Sequence, residues 1–385
     1  MDINVAFWNL GNLFDTTHDP IANDFDFLPE RGWTEETKAA KVANLGRVID
    51  LMFDGRGPDL LGVCEVENDR TLREVLDAVT VRSDLRIVPF RDGPDIRGID
   101  CALVVSDVVF EAFDGHGPDD LRPESYLVHN RYPTRDIFEV PLRVRDNGAE
   151  LLVYVNHWPS RSRGRMETEP LRIAVANHLG HVVDRRLKIS RQELGELADT
   201  AEAMAGLQRR WDRNVLIMGD LNDEPYDRSV LQELGASSGL DRLEEPLKKH
   251  RDRQHLPRPD GYAGLPAPLF NCMWPLSATP DRGSYHFAAG QPTSNMLDQF
   301  VVSRGLYYGS SGLRMRRRLR PDPALPPEKR ELATVDADVF DHPVMATAGK
   351  RRPKKFSFGI RSDGTAFDND GFSDHFPIVT AIETV

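Results

Sequence analysis

The fold of this chain is decided by the stretch Leu216-Ile217-Met218-Gly219-Asp220-Leu221-Asn222-Asp223-Glu224-Pro225. The apolar run Val215–Met218 predicts a short buried strand ending at Gly219, where a backbone without Cβ can bend. Asp220 and Asn222 follow two residues apart, so in extended backbone both side chains point to the same side. A carboxylate beside an amide at the mouth of a strand can hold a water molecule or a phosphate oxygen. Taken alone, the pattern is equally typical of a turn.

The composition restricts the class of protein. The 385 residues are 40% hydrophobic and 29% charged, which is ordinary for a globular protein of one or two domains. A formal net charge of −12 argues against wholesale attraction to nucleic acid, so contact with a polyanion would need a local basic patch. Three widely spaced cysteines, Cys64, Cys101 and Cys272, fit neither a disulfide framework nor a zinc pattern and favour a reducing compartment.

Targeting signals are not expected in this sequence. No stretch is long and apolar enough to span a membrane, and Met1–Val5 lacks the regions of a signal peptide. We therefore expect a cytoplasmic protein without a membrane anchor, acting as a monomer. Because no long Pro/Ser-rich linker divides the chain, we expect a single domain over residues 1–385.

Polar side chains at the ends of other predicted strands repeat the opening pattern. Burying a carboxylate at the end of an apolar strand is costly unless a cation or an arginine accompanies it. One such end has an ordinary structural explanation, whereas six apolar strands each ending in an acid, amide or imidazole do not. Besides Asp220 and Asn222, the residues at these ends are Asn9, Glu65, His157, Asp298, Asp374 and His375.

The helical and basic segments say less about function than the polar strand ends do. Periodic apolar residues predict an amphipathic helix over Glu35–Met52, with Thr34 as its N-cap. Residues 169–211 are predicted to be mostly helical, continuously so from Glu193 to Trp211. The basic clusters Arg314–Arg320 and Lys350–Lys355 fit a solvated face and a phosphate-backbone contact about equally well.

Together these motifs resemble the endonuclease/exonuclease/phosphatase superfamily, which has the deoxyribonuclease I-like fold, and its bacterial branch in particular. They occur in the family's order and span almost the whole chain: Trp8-Asn9, Asn12-Leu13-Phe14-Asp15, Glu65, Arg97-Gly98-Ile99-Asp100, Asn156-His157, Gly219-Asp220-Leu221-Asn222, Leu297-Asp298 and Ser373-Asp374-His375-Phe376-Pro377-Ile378. The resemblance implies a four-layer α/β sandwich, with two mixed β-sheets packed face to face between helices. It also implies a helical insertion at 169–211 and loop insertions at 246–293 and 321–372.

The resemblance further implies phosphoester hydrolysis with Mg²⁺ or Mn²⁺. By similarity, Glu65 would bind the metal, with Asn9 and Asp374 near it, and oxygen ligands without thiolates suit a hard cation. Asp220 would orient or deprotonate the attacking water, and Asn222 would donate to a phosphoryl oxygen.

The two histidines would face the phosphate. His375, held by Asp298, would donate to it as charge builds, because a carboxylate partner raises the pKa of a histidine and fixes its tautomer. His157 would be the second phosphate-facing group, with Asp100 as its candidate orienter.

Three further positions complete the predicted site. Arg97 and Arg161 are the predicted substrate-binding residues. Gly11 stands where many relatives carry an acidic side chain, so a second metal contact is not supported at that position.

The sequence is compatible with three functions. The preferred one is a metal-dependent nuclease that cleaves phosphodiester bonds of DNA or RNA with an activated water. The alternative is a phosphatase or lipid phosphodiesterase acting on an inositol phosphate or a phospholipid head group, although no apolar hairpin for membrane docking is visible. A non-catalytic binding protein that kept the fold ranks last, because every expected catalytic residue type is present. The expected partner is nucleic acid or another phosphoester substrate.

Overall fold

Two mixed β-sheets packed face to face form the centre of the protein. The computed structural model describes residues 1–91, 93, 95–112, 122–128, 134–197, 201–243, 266–277, 279, 281–287, 293–321, 331–347 and 350–385. The strands of the first sheet are β1 (Asp2–Leu13), β2 (Leu60–Val66), β3 (Leu85–Ile87), β4 (Asp100–Ser106), β15 (Leu313–Met315), β18 (Asp338–Val339) and β19 (Ile378–Thr384). Those of the second are β5 (Phe110–Ala112), β6 (Glu124–Tyr126), β7 (Ile137–Val144), β8 (Glu150–His157), β9 (Val215–Asp220), β10 (Ala236–Ser237), β11 (Leu269–Asn271) and β14 (Asp298–Ser303).

The strand order places early and late parts of the chain side by side. The first sheet runs β15-β19-β1-β2-β4-β3, with β18 also paired to β19, and the second runs β10-β11-β14-β9-β8-β7-β5, with β6 paired to β7. The pairs β1–β2, β8–β9 and β10–β11 are parallel and the other pairs in these sheets are antiparallel. Two hairpins lie outside the sheets: β12 (Tyr285–Phe287) with β13 (Thr293–Asn295), and β16 (Arg317–Pro321) with β17 (Glu331–Val335).

Helices cover the outer faces of both sheets. The α-helices are α1 (Glu35–Gly55), α2 (Asp69–Asp77), α3 (Arg165–Leu187), α4 (Arg191–Glu196), α5 (Ala201–Trp211), α6 (Trp274–Ser277) and α7 (Arg304–Tyr308). Short 3-10 turns span Phe25–Phe27, Pro29–Arg31 and Pro343–Met345, and a π-turn spans Ser229–Glu233. In the part of the chain that the structure describes, no helix is both long and apolar enough to cross a membrane.

The opening stretch explains the layering. In β9, Leu216 and Met218 belong to the apolar core that also contains Phe7 of the first sheet. The alternate residue Ile217 belongs instead to a second core that includes Leu179 of α3. Because side chains alternate along a strand, a continuous apolar run is what a strand buried on both faces requires. The structure therefore confirms the predicted four-layer α/β sandwich.

Gly219 has a different role from the one expected. Its φ is not positive, so it does not serve a bend that other residues would avoid. A Cβ at this position would instead lie 2.3 Å from the carbonyl oxygen of Asn156 on the neighbouring strand β8. Glycine is needed because the two parallel strands approach closely just before their polar ends.

The helices agree with the prediction at the start of α1 and depart from it in two places. α1 has the predicted N-cap, since the Thr34 side chain accepts from the backbone N–H of Thr37. α3 begins at Arg165, four residues before the predicted start of the helical segment at 169. The helix predicted over Glu193–Trp211 is divided, because α4 ends at Glu196 and α5 begins at Ala201.

The loop predicted over residues 246–293 contains a strand of the second sheet. β11 pairs with both β10 and β14, although its apolar run is too short to stand out among the prolines and glycines around it. Residues 246–265, 278, 280 and 288–292 of that segment lie outside the described residues, as do 322–330 and 348–349 of the segment 321–372.

Candidate active site

The strand registers bring the polar strand ends together. His157 is opposite Asp220 in the β8–β9 pair, and Asp298 is opposite Asp220 in the β14–β9 pair. In the first sheet, Asn9 is opposite Cys64, the residue before Glu65. Neighbouring strands lie close to 5 Å apart, so each register places its side chains within reach of one another.

Asp220 is the centre of the resulting cluster and is 2% exposed. Its Oδ2 accepts a hydrogen bond from Asn9 Nδ2 at 3.1 Å. The same oxygen lies 3.8 Å from Nε2 of His157 and 3.8 Å from Nε2 of His375. Its Oδ1 accepts from the backbone N–H of Asn222 at 2.9 Å. The structure therefore groups four of the predicted site residues around the buried carboxylate of a fifth, Asp220.

His375 is held as an imidazolium. Its Nδ1 lies 2.7 Å from Oδ2 of Asp298, which is fully buried. Burial opposes the charge on the ring, but Asp298 and Asp220 outweigh it and raise the pKa of His375 to about 10. A protonated imidazole donates from both nitrogens, so its Nε2 can donate toward the cleft.

The pKa values of Asp220 and His157 are shifted mainly by burial. Burial raises the pKa of Asp220 to about 7, although His375 acts in the opposite direction. Burial, assisted by Arg135 and Arg97, lowers the pKa of His157 well below its usual range, so this ring is neutral at pH 7. The two histidines therefore carry different charges within one site.

Glu65 has an unusual backbone conformation, and its carboxylate accepts no hydrogen bond from the described residues. Its φ of 61° lies in the left-handed region, and the β2–β4 register shifts between Cys64 and Val66, so Glu65 forms a bulge. The side chain is 12% exposed, and its Oε1 lies 3.6 Å from His157 Nε2 and 3.9 Å from Arg97 Nη2. Among the described residues, no donor makes a hydrogen bond to this carboxylate. Strained backbone at this position presents a largely buried carboxylate that accepts no hydrogen bond from the described residues, although Arg97 lies beside it.

The donor atoms suit a hard divalent cation. Glu65 and Asp374 offer carboxylate oxygens and Asn9 offers an amide oxygen, the ligand types that Mg²⁺ and Mn²⁺ accept. A second group, Asp220, Asp298 and His375, has donor atoms within 4.8 Å of one another. Because Nδ1 of His375 is hydrogen-bonded to Asp298, this second group forms a hydrogen-bonded relay in the structure. The carboxylate of Glu65, which accepts no hydrogen bond from the described residues, is the stronger ligand candidate.

Lys41 is a site residue that the sequence analysis missed. It is 1% exposed, and its Nζ donates to the carbonyl oxygens of Gly11 at 2.5 Å and Asn12 at 2.9 Å. Gly11 and Asn12 both have positive φ, and the Gly11 N–H donates to Asn9 Oδ1 at 2.9 Å. Lys41 thus fixes the irregular part of β1 that follows Asn9, where the β1–β2 register shifts. The signal was available, since Lys38 and Lys41 lie in the helical phase of the buried stripe.

Lys355 and Tyr285 are two further residues of this cluster that the sequence did not predict as site residues. Oδ2 of Asp374 is 3.0 Å from Nζ of Lys355, within the basic cluster Lys350–Lys355. Burial opposes ionisation, but His375 and Lys355 hold the pKa of Asp374 below its usual range. The ring of Tyr285 packs 4.8 Å from that of His375. Neither Lys355 nor Tyr285 carries a motif that would have identified it.

The two predicted substrate arginines differ in position. Arg97 is 38% exposed beside Glu65, and its Nη2 also donates to Asn12 Oδ1. Arg161 is engaged within the protein, with its Nη2 on Asp223 and Asp227 and its Nε on the carbonyl oxygen of Asn222. Arg161 therefore supports the turn after Asp220 through its Nε and Nη2 donors.

Asn222 and Asp100 also make contacts other than those expected. Asn222 has a φ of 50°, and its side-chain Nδ2 donates to the carbonyl oxygen of Trp158 at 3.0 Å. Asp100 Oδ1 accepts from the Gly93 N–H at 2.7 Å. His157 Nδ1 is buried with no hydrogen-bond partner among the described residues. Asp100 therefore does not orient His157 through Nδ1.

The basic cluster Arg314–Arg320 is largely neutralised by neighbouring acids. Arg314 pairs with Glu383, Arg316 with Asp336, and Arg318 with Asp336 and Asp338. Arg317 lies over the ring of Tyr307 at 4.5 Å. Three of the four arginines in this cluster whose side chains the structure describes are therefore paired with acids, which favours the interpretation as a solvated face.

Comparison with known proteins assigns the chain to a protein family. The profile of the Endonuclease/Exonuclease/phosphatase family matches residues 4–249, and the chain belongs to this family. Membership supports hydrolysis of a phosphoester as the class of reaction. A comparison with curated proteins found no match.

Several solved structures are similar over almost their whole length. An endonuclease/exonuclease/phosphatase family protein from Bacteroides thetaiotaomicron is 13% identical with a TM-score of 0.48, covering 99% of this chain and 98% of that one. A mannosyl-6-phosphatase from the same organism is 14% identical with a TM-score of 0.47, covering 100% and 99%. The catalytic domain of human Nocturnin is 13% identical with a TM-score of 0.46, covering 100% and 95%. Identities this low give no information about substrate.

Proposed function

We propose that this protein is a divalent-metal-dependent phosphodiesterase that cleaves nucleic acid with an activated water. The observation that carries the proposal is Asp220, a buried carboxylate bonded to Asn9 and 3.8 Å from two imidazoles of opposite protonation state. Phosphoryl transfer needs a positioned base and positive charge around the phosphate, and this cluster provides both.

Asp220 is the proposed general base. A base is most effective when its pKa lies near the working pH, and burial raises the pKa of Asp220 to about 7. The Asn9 amide and the Asn222 N–H fix the two carboxylate oxygens, so the water-binding lone pairs keep one direction. A fixed base gains from orientation as well as from basicity.

His375 is the proposed donor to the phosphoryl oxygens. Asp298 keeps the ring protonated and aligned, so the imidazolium offers Nε2–H as negative charge accumulates on the phosphate. His157, neutral and 3.6 Å from Glu65, is the second phosphate-facing group.

Glu65, Asn9 and Asp374 are the proposed ligands of Mg²⁺ or Mn²⁺. A bound divalent cation neutralises phosphate charge and stabilises the leaving oxygen. Glu65 contributes a carboxylate that accepts no hydrogen bond from the described residues, and Lys41 holds the irregular part of β1 that follows Asn9.

Nucleic acid is the proposed substrate because two exposed cations lie at the edge of this cluster. Arg97 is 38% exposed beside Glu65, and Lys355 is 60% exposed beside Asp374. Cations on either side of a reaction centre suit an extended phosphate backbone, which carries charges beyond the cleaved bond.

A phosphoester panel tests the proposal. Single- and double-stranded DNA and RNA oligonucleotides, bis(p-nitrophenyl) phosphate and p-nitrophenyl phosphate are incubated with the protein in Mg²⁺, Mn²⁺ or EDTA. We expect divalent-dependent cleavage of at least one nucleic acid and a loss of about 10²–10⁴-fold in Asp220→Asn. The exposed carboxylate Asp363 provides a matched control, Asp363→Asn, that keeps full activity.

Two outcomes would contradict the proposal. Clean hydrolysis of p-nitrophenyl phosphate without cleavage of any nucleic acid would make the protein a phosphomonoesterase on the same residues. Undiminished cleavage by Asp220→Asn would remove Asp220 from the reaction.

A further inference from the structure

A cleft of about 740 Å³ lies far from the catalytic cluster and is lined by five arginines: Arg185, Arg186, Arg209, Arg210 and Arg213. Its floor includes Glu150, the first residue of β8, whereas His157 is the last. At about 3.3 Å per residue, seven steps along this strand separate the two sites by about 23 Å. The cleft is therefore a separate feature from the proposed active site.

The charge of this cleft is opposite to that of the whole protein. Among the described lining residues, the five arginines are accompanied by two carboxylates, Glu150 and Glu193, and Arg186 pairs with Glu139, so two positive charges remain in excess. The chain as a whole has a net charge of −12. A local positive field in a negative protein attracts anions to one place on the surface.

Some of this positive charge has a structural use. Arg186 pairs with Glu139 at 2.5 Å, and Arg210 pairs with Glu193 at 2.8 Å. Arg185 and Arg186 lie in the last turn of α3, and Arg209 and Arg210 in the last turn of α5, where cations stabilise a helix terminus. These contacts explain why arginines occur here but do not balance their charge.

Arg185 and Arg209 supply the excess. Both side chains are exposed, and neither has a carboxylate partner among the described residues. Arg185 lies over the ring of Tyr126 at 5.4 Å, which orients its guanidinium without neutralising it. The cleft thus offers two guanidinium groups whose fork of donors fits phosphate oxygens.

A neutral polar atom in the same cleft is also unsatisfied. Asn214 is 2% exposed, and its Nδ2 donates to the carbonyl oxygens of Glu150 and Ser311. Its Oδ1 is buried with no hydrogen-bond partner among the described residues. Buried acceptors are normally satisfied, so a donor from a ligand or water is expected here.

The neighbouring cleft is a poorer candidate. It measures about 720 Å³ and shares Arg185, Arg210 and Glu193 with the first. Its remaining charged residues, Lys188 and Asp184, pair with each other at 3.2 Å. Nearly balanced charge gives that cleft no strong preference for an anion.

We propose that the cleft between the ends of α3 and α5 binds a small molecule bearing two or more phosphate groups. The volume is in the range of small-molecule sites, and the excess charge matches a polyanion. The arginines hold the phosphate oxygens, and Asn214 Oδ1 accepts from a hydroxyl or water beside them. This site does not depend on the proposed catalytic function.

Calorimetric titration of the full chain with inorganic tripolyphosphate tests the proposal. EDTA is present so that metal-assisted binding at the catalytic cluster does not contribute. The test variant is the double substitution Arg185→Gln with Arg209→Gln, and the control is Arg73→Gln, an arginine on α2 that is 61% exposed. We expect the dissociation constant of tripolyphosphate to rise at least tenfold in the double variant and to stay within twofold in the control.

Three results would overturn the proposal. The first is an unchanged dissociation constant in the double variant, and the second is an equal loss in the Arg73→Gln control. The third is a loss of binding to a 20-nucleotide single strand with tripolyphosphate binding intact, which would make the cleft a backbone contact. If the double variant does not fold, Arg209→Gln alone, at an exposed position, is expected to weaken binding at least threefold.

Discussion

Nδ1 of His375 lies 2.7 Å from Oδ2 of Asp298, and both side chains are buried. The remaining oxygen of Asp298, Oδ1, is buried without a hydrogen-bond partner among the described residues. The carboxylate is therefore committed to the imidazole. The protonation state of His375 depends on this contact and on Asp220, which adds a second negative charge nearby.

Asp298→Asn is expected to lower the pKa of His375 and to reduce turnover about 10²-fold or more, because a neutral amide cannot stabilise the imidazolium. The pKa is followed by NMR titration of the histidine ring, and kcat by oligonucleotide cleavage. Asp363→Asn serves as the control. A pKa for His375 that does not fall in Asp298→Asn would show that Asp220 alone keeps the ring charged.

Lys41→Met is expected to reduce kcat by at least tenfold while the protein stays folded. Methionine fills the same volume but cannot donate to the carbonyl oxygens of Gly11 and Asn12, so the irregular part of β1 after Asn9 loses its anchor. Tenfold corresponds to about 1.4 kcal/mol.

The measurements for Lys41→Met are steady-state kinetics and the Mg²⁺ concentration that gives half-maximal activity, which should rise because Asn9 is a proposed ligand. Lys350→Met, at an exposed position, is the matched control. An unchanged Mg²⁺ requirement alongside a large fall in melting temperature would assign Lys41 a purely structural role.

Gly219→Ala is expected to destabilise the protein by about 3 kcal/mol, because the new Cβ would lie 2.3 Å from the Asn156 carbonyl oxygen on a strand that cannot withdraw. Denaturant unfolding gives the free energy. Gly195→Ala is the control, since a Cβ there meets nothing within 4 Å and α4 gains helix propensity. Equal stability of the two variants would show that β8 and β9 can separate without cost.

Asp84→Asn is expected to lower stability by about 2 kcal/mol at pH 7 and by less at pH 3. Its hydrogen bond from Arg82 holds the pKa of Asp84 below the usual 3.8, so the ionised form stabilises the fold above that value. As the pH falls below 3.8, the unfolded chain takes up a proton that the folded protein does not, and the stabilisation is lost. Chemical unfolding at both pH values measures the difference, which would stay constant if Arg82 had no effect on Asp84.

The layers of the fold were readable from the sequence because buried strands leave a strong local pattern. The run Val215–Met218 is apolar at every position, as a strand covered on both faces must be. The strand Leu269–Asn271 was missed because three residues among prolines and glycines carry no periodicity. Its place in the second sheet is decided by pairing with β14, which local sequence does not encode.

The candidate site was only partly readable, because strand ends are local signals and contacts between distant segments are not. Asp220 and His375 followed from polar residues after apolar runs. Arg161 also followed a strand, but its partners Asp223 and Asp227 lie in the turn after another strand, and they bind its Nη2. Lys355 reaches Asp374 because Lys355 pairs with Phe372 in an isolated bridge, which local sequence does not encode.

The position of β1 has a consequence for biosynthesis. β1 is bonded on one side to β2 and on the other to β19, although the latter is translated more than three hundred codons later. Until the ribosome has produced Ile378–Thr384, one edge of β1 stays open, and His375 is still missing or unplaced. An unpaired strand edge can pair with other chains, so for nearly all of its synthesis the nascent polypeptide carries an aggregation-prone edge and lacks its proposed chemistry.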